Sequence, residues 1–215
     1  AKRLSFDNPA WARELERLVN DEVKKGLGVT ASVVKAELRN LLIYSKGGHR
    51  SRLRDGKKCP GMFGTLVVSL PCIHQGGTLI MQHCGEEHRF ETATSNPCRI
   101  QWCAFFADVQ HEVQPIESGY RVVLVYNLIR VGRGILPKPR PSPVHAMKEI
   151  AHRWRCQEGI VAVHMLKHAY TEDGIDWDQL KGADARAVSA LRACGDFDLQ
   201  LAIVKKIEEC DAGID

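Results

Sequence analysis

Five short segments rich in β-branched and aromatic residues set the strongest limit on how this chain folds. They cover residues 34–44, 63–70, 78–83, 100–107 and 121–128. Turn-forming residues separate them, namely Pro71, Gly76-Gly77, Cys84-Gly85, Asn96-Pro97 and Ser118-Gly119. Short strands at this spacing predict a β-sandwich or a jelly roll, and they argue against βαβ units.

The first of these segments has a period of two. The charged residues Lys35, Glu37 and Arg39 alternate with the apolar residues that precede each of them. This alternation predicts a strand that runs to Tyr44 with one buried face and with the three charges on the other face.

Helical and proline-rich segments flank the predicted strands. Asn8 and Pro9 suit the cap and first turn of a helix over residues 11–28. After the strands we predict helices at 144–156 and 184–194 and apolar segments at 160–166 and 197–204. The chain is thus predicted to be mainly β with flanking helices (α+β). We predict three parts: a core of residues 1–136, a stiff proline-rich connector at 137–143 and a C-terminal extension of residues 144–215.

Composition and the eight cysteines narrow the class of protein. Hydrophobic residues make up 44% of the 215, which is too many for a disordered chain. No run of about 18 apolar residues is present, so we predict no membrane-spanning helix. None of the cysteines forms a Cys-x-x-Cys pair, and the first residues lack the apolar region of a signal peptide. We therefore expect a cytoplasmic, intracellular protein with reduced thiols.

The charge is unevenly distributed along the chain. The formal net charge is +4, yet residues 1–60 hold 14 Lys and Arg against 7 Asp and Glu. The basic excess peaks at residues 49–58. A solvated loop explains such a run, and a collar that attracts an anionic small molecule is the functional alternative. We do not expect a nucleic acid as the partner.

A histidine and an arginine mark the clearest candidate site. His111 follows the fourth predicted strand, and Arg121 opens the fifth one after the Ser118-Gly119 turn. The two positions have the same parity, although the intervening turn weakens that relation. Histidine is a common metal ligand and arginine binds a carboxylate through two parallel hydrogen bonds, so the pair can serve one site. The spacing alone is not specific, because structural residues produce it too.

A longer pattern contains this pair. The segments CPGMFGTLVVSLP, HQGGTLIMQHCG and WCAFFADVQHEVQPIESGYRVVLVYNL follow one another between residues 59 and 128. Their order resembles the Fe(II)/2-oxoglutarate-dependent dioxygenases of the prolyl-4-hydroxylase-like branch. The resemblance covers about residues 8–205. It implies a double-stranded β-helix, which is a jelly-roll, cupin-like barrel with helices outside.

The resemblance also implies a site and a reaction. Asp55 would be the carboxylate ligand of Fe(II) and His111 the distal histidine ligand, while Arg121 would bind the far carboxylate of 2-oxoglutarate. Tyr44 would add a hydrogen bond to this co-substrate. The implied reaction is hydroxylation of a C–H bond in a peptide or small-molecule substrate by O₂, with decarboxylation of 2-oxoglutarate to succinate. Ascorbate is an optional further cofactor.

One position departs from the family pattern. The first histidine of the H-x-D motif falls on Leu53, so the motif reads Leu53-Arg54-Asp55. A leucine side chain has no lone pair and cannot coordinate iron. His49 is an alternative third ligand only if the loop folds back, because six extended residues span about 20 Å. Otherwise Asp55 and His111 form a two-ligand site that should bind iron weakly.

Other histidines are weaker candidates. His83, Cys84 and His88 have the ligand types of a zinc site, but they fall on a hairpin that we expect to be merely polar. We expect Asp108 to be a turn residue. The histidines of the C-terminal part are expected at the surface or in the core without a partner carboxylate, and they are His145, His152, His164 and His168.

Two functions remain open from the sequence. The first is an oxygenase of the kind described above. The second is a degenerate jelly-roll domain that binds a partner without catalysis, because Leu53 replaces an iron ligand. The sequence indicates neither the substrate nor an oligomeric state.

Overall fold

Ten β-strands form most of the regular structure in the computed structural model, which describes residues 6–29, 31–56, 59–93, 99–134, 141–154 and 161–204. The strands are β1 (Ala31–Tyr44), β2 (Arg50–Arg54), β3 (Met62–Ser69), β4 (His74–Gly76), β5 (Leu79–His83), β6 (Glu86–Phe90), β7 (Gln101–Phe106), β8 (Gln110–Val113), β9 (Ile116–Gly119) and β10 (Arg121–Gly134). All five predicted segments are strands. The shorter β2, β4, β6, β8 and β9 were not predicted.

The strands make two four-stranded antiparallel sheets and one small ribbon. The first sheet has the order β1-β10-β3-β7, the second sheet has the order β2-β8-β5-β6, and β4 pairs with β9. With the ribbon set aside, the eight remaining strands occupy the orders 1-8-3-6 and 2-7-4-5. This is the strand order of a jelly roll. The prediction of a mainly β, jelly-roll fold with flanking helices is confirmed.

The central strands of the first sheet are buried on both faces. Every residue of β3 is buried, and Leu124 and Leu128 of β10 are at most 1% exposed. One face of this sheet lies against the second sheet. The other face contacts the N-terminal helices, where Trp11 Nε1 donates a hydrogen bond of 3.1 Å to Tyr126 Oη. Burial on both faces explains why these two segments read as nearly continuous apolar runs.

The predicted N-terminal helix is present in three pieces. Helix α1 (Trp11–Arg17) continues as a π-helical stretch at Leu18–Val23 and ends as the short α2 (Lys24–Gly26). The Asn8 side chain accepts a hydrogen bond from Ala10 N at 3.0 Å, as predicted for a cap residue. The Asn20 side-chain amide donates a hydrogen bond to the Val34 carbonyl and accepts one from the Val34 N–H. These two bonds attach the π-helical stretch to β1.

The C-terminal part contains two further helices, α3 (Pro141–Trp154) and α4 (Gly182–Cys194). The first begins three residues earlier than predicted, and residues 137–140 of the predicted connector lie outside the described ranges. Residues 161–166 and 197–204 have no regular secondary structure. The division into three parts stays a prediction. None of the described helices is both long and apolar enough to cross a membrane.

Candidate functional site

Four predicted site residues line one narrow cavity between the two sheets. Tyr44 and Arg121 come from the first sheet, His111 comes from the second sheet, and Asp55 follows the last residue of β2. His111 and Arg121 lie on inward positions of β8 and β10, so both side chains line this cavity. Valine and leucine side chains of both sheets complete the wall: Leu42, Val67, Leu79, Val113, Val123 and Val125.

Arg121 lies deep in this cavity and is positioned by Thr92. It is only 1% exposed, and its Nε donates a hydrogen bond of 2.9 Å to Thr92 Oγ1. The same hydroxyl lies 3.1 Å from His74 Nε2. Burial lowers the pKa of His74, so this imidazole is neutral at pH 7. The Tyr44 ring lies 5.7 Å from the guanidinium carbon and restricts it from another direction.

The buried Arg121 guanidinium has no counter-ion in the described part of the chain. Among the described residues, no carboxylate forms an ion pair with Arg121, and its Nη2 has no hydrogen-bond partner. The Cys103 thiol is close enough to interact, but burial raises its pKa to about 12, so it is neutral. Burial also lowers the pKa of Arg121, but an arginine stays protonated at pH 7. An unpaired buried cation costs several kcal/mol, and a bound anion would offset that cost.

Arg39 also reaches the cavity, contrary to the prediction that it lies on the exposed face of β1. The pairing of β1 with β10 shifts register between Leu38 and Asn40, which leaves Arg39 as the extra residue of a bulge. Its side chain is 17% exposed, and its Nη1 donates a hydrogen bond of 2.9 Å to Asp55 Oδ1. The simple alternation of side chains fails at a bulge, and the guanidinium turns inward.

Each oxygen of the Asp55 carboxylate accepts a hydrogen bond. Thr65 Oγ1 donates to Asp55 Oδ2 at 2.8 Å, while Arg39 occupies the other oxygen. Burial would raise the pKa of Asp55, but the hydrogen bonds from Thr65 and Arg39 and the charge of Arg39 outweigh it and lower the pKa below its ordinary value. Asp55 is thus an ionised carboxylate, paired with a guanidinium.

His111 is buried beside this pair. Its Nδ1 lies 3.3 Å from the Val109 carbonyl, and its Nε2 lies 3.9 Å from Asp55 Oδ2. Burial lowers the pKa of His111, and the charges of Arg50 and Arg39 act in the same direction, so the ring is neutral at pH 7. With the proton on Nδ1 donated to the carbonyl, Nε2 carries its lone pair toward Asp55.

These residues do not fit a three-ligand Fe(II) centre. Leu53 is directly opposite His111 in the pairing of β2 with β8, and its apolar side chain offers no ligand atom. His49 does not replace it, because it is exposed, is absent from the cavity wall and has its Nδ1 3.1 Å from the Gly47 carbonyl. The positively charged Arg39 is paired with Asp55, the candidate carboxylate ligand. Neutral His111 and ionised Asp55 therefore offer a metal ion only two ligand atoms, and the Arg39 guanidinium competes for one of them.

Replacement of Arg39 by methionine is expected to lower the free energy of unfolding by about 2 kcal/mol. The reason is that the Asp55 carboxylate, 3% exposed, would keep only its hydrogen bond from Thr65. Urea unfolding at pH 7 measures the change. The contribution of ionised Asp55 is present above its ordinary pKa and is lost as the pH falls through the lowered value of the folded state, so the difference should shrink in acid.

The matched control is Arg52→Met, which removes an exposed pair with Glu112 on the same strand as the motif. Water screens an exposed ion pair and leaves it little net effect on stability, so this variant should differ little from the parent protein. Equal effects of the two substitutions would contradict the assigned role of Arg39.

A second cluster lies at the edge of the second sheet. Asp108 is in the turn after β7, as expected, but it is also half of an ion pair with Lys181, whose Nζ lies 3.2 Å from Oδ1. His145 and His168 were expected to have no partner carboxylate at ligand spacing, and this is wrong for both: His145 Nε2 lies 3.5 Å from Glu149 Oε1, and His168 Nδ1 lies 3.1 Å from Asp108 Oδ2. His83 Nε2 also contacts the Asp108 carboxylate, whereas His88 on the same hairpin is exposed and faces Glu86.

Comparisons with known proteins give similarities of fold. No protein-family model matches the chain, and no curated protein matches it. A Pseudomonas putida prolyl-4-hydroxylase structure is 20% identical at a TM-score of 0.44, covering 60% of this chain and 70% of that one. A 2OG-Fe(II) oxygenase family oxidoreductase from Burkholderia pseudomallei is 19% identical at 0.41, covering 56% of each chain. A cupin superfamily protein from Desulfitobacterium hafniense is 14% identical at 0.29, covering 60% and 96%. These similarities assign no activity to this chain.

Proposed function

We propose that this chain is a jelly-roll protein of the Fe(II)/2-oxoglutarate oxygenase type that binds a dicarboxylate such as 2-oxoglutarate through Arg121. We further propose that it does so without an efficient ferrous centre. One observation carries the proposal: the buried Arg121 guanidinium has no anionic partner among the described residues, and its Nη2 is unpaired there. Such a group is suited to a carboxylate, because both have planar, two-point hydrogen-bonding geometry.

The surroundings of Arg121 support a carboxylate rather than water as its partner. Thr92 and Tyr44 fix the guanidinium, so little conformational entropy is lost when a ligand binds. The adjacent walls are valine side chains, which exclude water and strengthen a charged contact. Tyr44 stands beside the same guanidinium, where its hydroxyl could add a hydrogen bond to the ligand.

The second carboxylate of the ligand would meet positive charge at the cavity wall. Arg39 and Arg50 both line the cavity, and both act on the electrostatics of His111. In an iron enzyme the metal supplies this charge; here two guanidiniums supply it. Because the cavity is narrow, a dicarboxylate would need the Arg39 side chain to move from Asp55 toward the ligand.

A ligand panel tests the proposal by thermal unfolding in the presence of a chelator. We expect 2-oxoglutarate, succinate and glutarate to raise the Tm, and the monocarboxylates propionate and 2-oxobutyrate to raise it much less. A ligand present at 100 times its Kd adds about 2.7 kcal/mol to the stability of the folded state, which is readily measured. The absence of a shift with every dicarboxylate would overturn the proposal.

Oxygenase turnover is the second candidate function. The juxtaposition of Asp55 Oδ2 and His111 Nε2 at 3.9 Å favours it, and Leu53 and Arg39 oppose it. The peptide or small-molecule substrate would bind at the cavity opening. Succinate formation from 2-oxoglutarate with Fe(II), O₂ and ascorbate is the decisive assay. We expect none from this chain, and steady succinate formation would establish the enzyme instead.

A further inference from the structure

Three segments distant in sequence place metal-binding side chains together at the edge of the second sheet. His83 ends β5, Asp108 lies in the turn after β7, and His168 lies in the irregular segment before α4. One ligand atom of each residue lies within 4.8 Å of the others. The side chains of Asp108 and His168 are only 10% and 7% exposed, and that of His83 is 26% exposed.

The distances match those between the ligands of one metal ion. His168 Nδ1 and His83 Nε2 lie 3.1 Å and 3.5 Å from Asp108 Oδ2. Two ligands of a tetrahedral zinc ion, each about 2.0–2.1 Å from the metal, are about 3.3–3.4 Å apart. The two distances to Asp108 Oδ2 are thus close to those of shared ligands, and the ligand atoms of the two histidines lie within 4.8 Å of each other.

We propose that His83, Asp108 and His168 bind a divalent transition-metal ion, with Zn²⁺ as the best match. Two imidazoles and one carboxylate are ligands that this ion takes readily. The fourth position would face an open polar cleft lined by Gln82, Cys84, Glu86 and Glu87, where water can complete the coordination. This site is separate from the cavity that contains Asp55 and His111.

Neighbouring residues already contact each proposed ligand. Lys181 Nζ pairs with Asp108 Oδ1 and competes with a metal ion for this carboxylate, while Oδ2 accepts a hydrogen bond from Ala169 N at 2.9 Å. The His83 and His168 rings are stacked with centroids 4.7 Å apart, and the His168 ring also packs on Phe106. The hydrogen bond from Ala169 N fixes the Asp108 carboxylate before an ion arrives, whereas the stacked His83 and His168 rings must rotate, because a metal ion lies in the plane of each imidazole that binds it. Coordination by His168 Nδ1 would replace its contact with Asp108 Oδ2.

A metal ion here would have a structural effect. The residues near His168 have no regular secondary structure and are attached to α4 by Asp184, which accepts hydrogen bonds from the N–H groups of Lys167 and His168. An ion would connect this segment to the β5–β6 hairpin and to the β7–β8 turn. We therefore expect Zn²⁺ to raise the Tm of the whole chain.

The experiment compares zinc binding by the parent protein with three variants after removal of metal with a chelator. We expect one zinc per chain, and we expect His83→Gln to weaken the affinity at least 10-fold, since even loss of an outer partner costs 10–100-fold. His83 is partly exposed, so the variant should fold; far-ultraviolet circular dichroism checks this. His88→Gln is the matched control on the same hairpin and should bind zinc like the parent protein.

His111→Gln separates this site from the cavity. If zinc binding is retained in His111→Gln and lost in His83→Gln, the proposed site is established. The proposal is overturned if the parent protein takes up no zinc, if His83→Gln binds it unchanged, or if His111→Gln abolishes binding.

Discussion

Replacement of Arg121 by methionine is expected to abolish binding of 2-oxoglutarate and to leave the fold intact. A buried charged contact is worth about 2–5 kcal/mol, so we expect the affinity to fall at least about 30-fold. The folded protein should stay at least as stable, because a costly unpaired buried cation is replaced by an apolar side chain and only one hydrogen bond to Thr92 is lost. Calorimetric titration and urea unfolding measure the two quantities.

Two further variants make this result specific. Arg121→Lys keeps the charge but lacks the planar fork, so it should recover only part of the affinity. Arg52→Met removes an exposed arginine outside the cavity and should bind like the parent protein. A strong loss of stability in Arg121→Met, with ligand binding preserved, would show that this guanidinium is a structural group.

Replacement of Leu53 by histidine is expected to create a three-ligand metal site with Asp55 and His111. A side chain at position 53 lies opposite His111 with Cβ atoms about 4.5–5.5 Å apart, so an imidazole there can reach a metal shared with His111 and Asp55. We expect the affinity for Fe(II), or for Mn²⁺ as a stable probe, to rise at least 10–100-fold, since loss of even an outer partner has an effect of that size. Anaerobic titration followed by absorption with 2-oxoglutarate present measures it.

The control is Leu53→Gln, which has a similar length and a weaker ligand atom. Addition of Arg39→Met to Leu53→His should raise the metal affinity further, because the guanidinium competes for Asp55. Every variant should also carry His83→Gln, which removes metal binding by the cluster of His83, Asp108 and His168. If Leu53→His binds metal no better than Leu53→Gln, position 53 is not the missing ligand position.

The fold was predictable where the burial pattern is simple. Segments 63–70 and 121–128 are apolar on both faces because they occupy the centre of the first sheet, and a run of such residues predicts a strand. Strand β6 was missed because its sequence, EEHRF, is polar and almost entirely exposed at the edge of the second sheet. The strands of the β4–β9 ribbon have three and four residues, too few to show a period.

The candidate site was predictable only where a linear motif marks it. The resemblance gave Tyr44, Asp55, His111 and Arg121, and all four line the cavity. Arg39 was placed on the wrong face because a bulge is not visible in a pattern of alternating residues. Thr92, which positions Arg121, comes from a loop 29 residues earlier in the chain, and no spacing rule connects the two.

The cluster of His83, Asp108 and His168 could not be predicted from a motif either. His83 has the residue type of a metal ligand, but its partners Asp108 and His168 lie on other segments, and His168 is 60 residues from Asp108. Tertiary structure alone brings them together. Long-range histidine–carboxylate pairs of this kind are found by distance and not by motif.

We propose that Arg121 binds a dicarboxylate without the help of a metal ion. Calorimetric titration of the metal-free protein with 2-oxoglutarate, in the presence of a chelator, tests this for the parent protein and for Arg121→Met. We predict binding by the parent protein and none by the variant. Absence of binding by the metal-free parent protein, or equal binding by both, would show that Arg121 does not have this role.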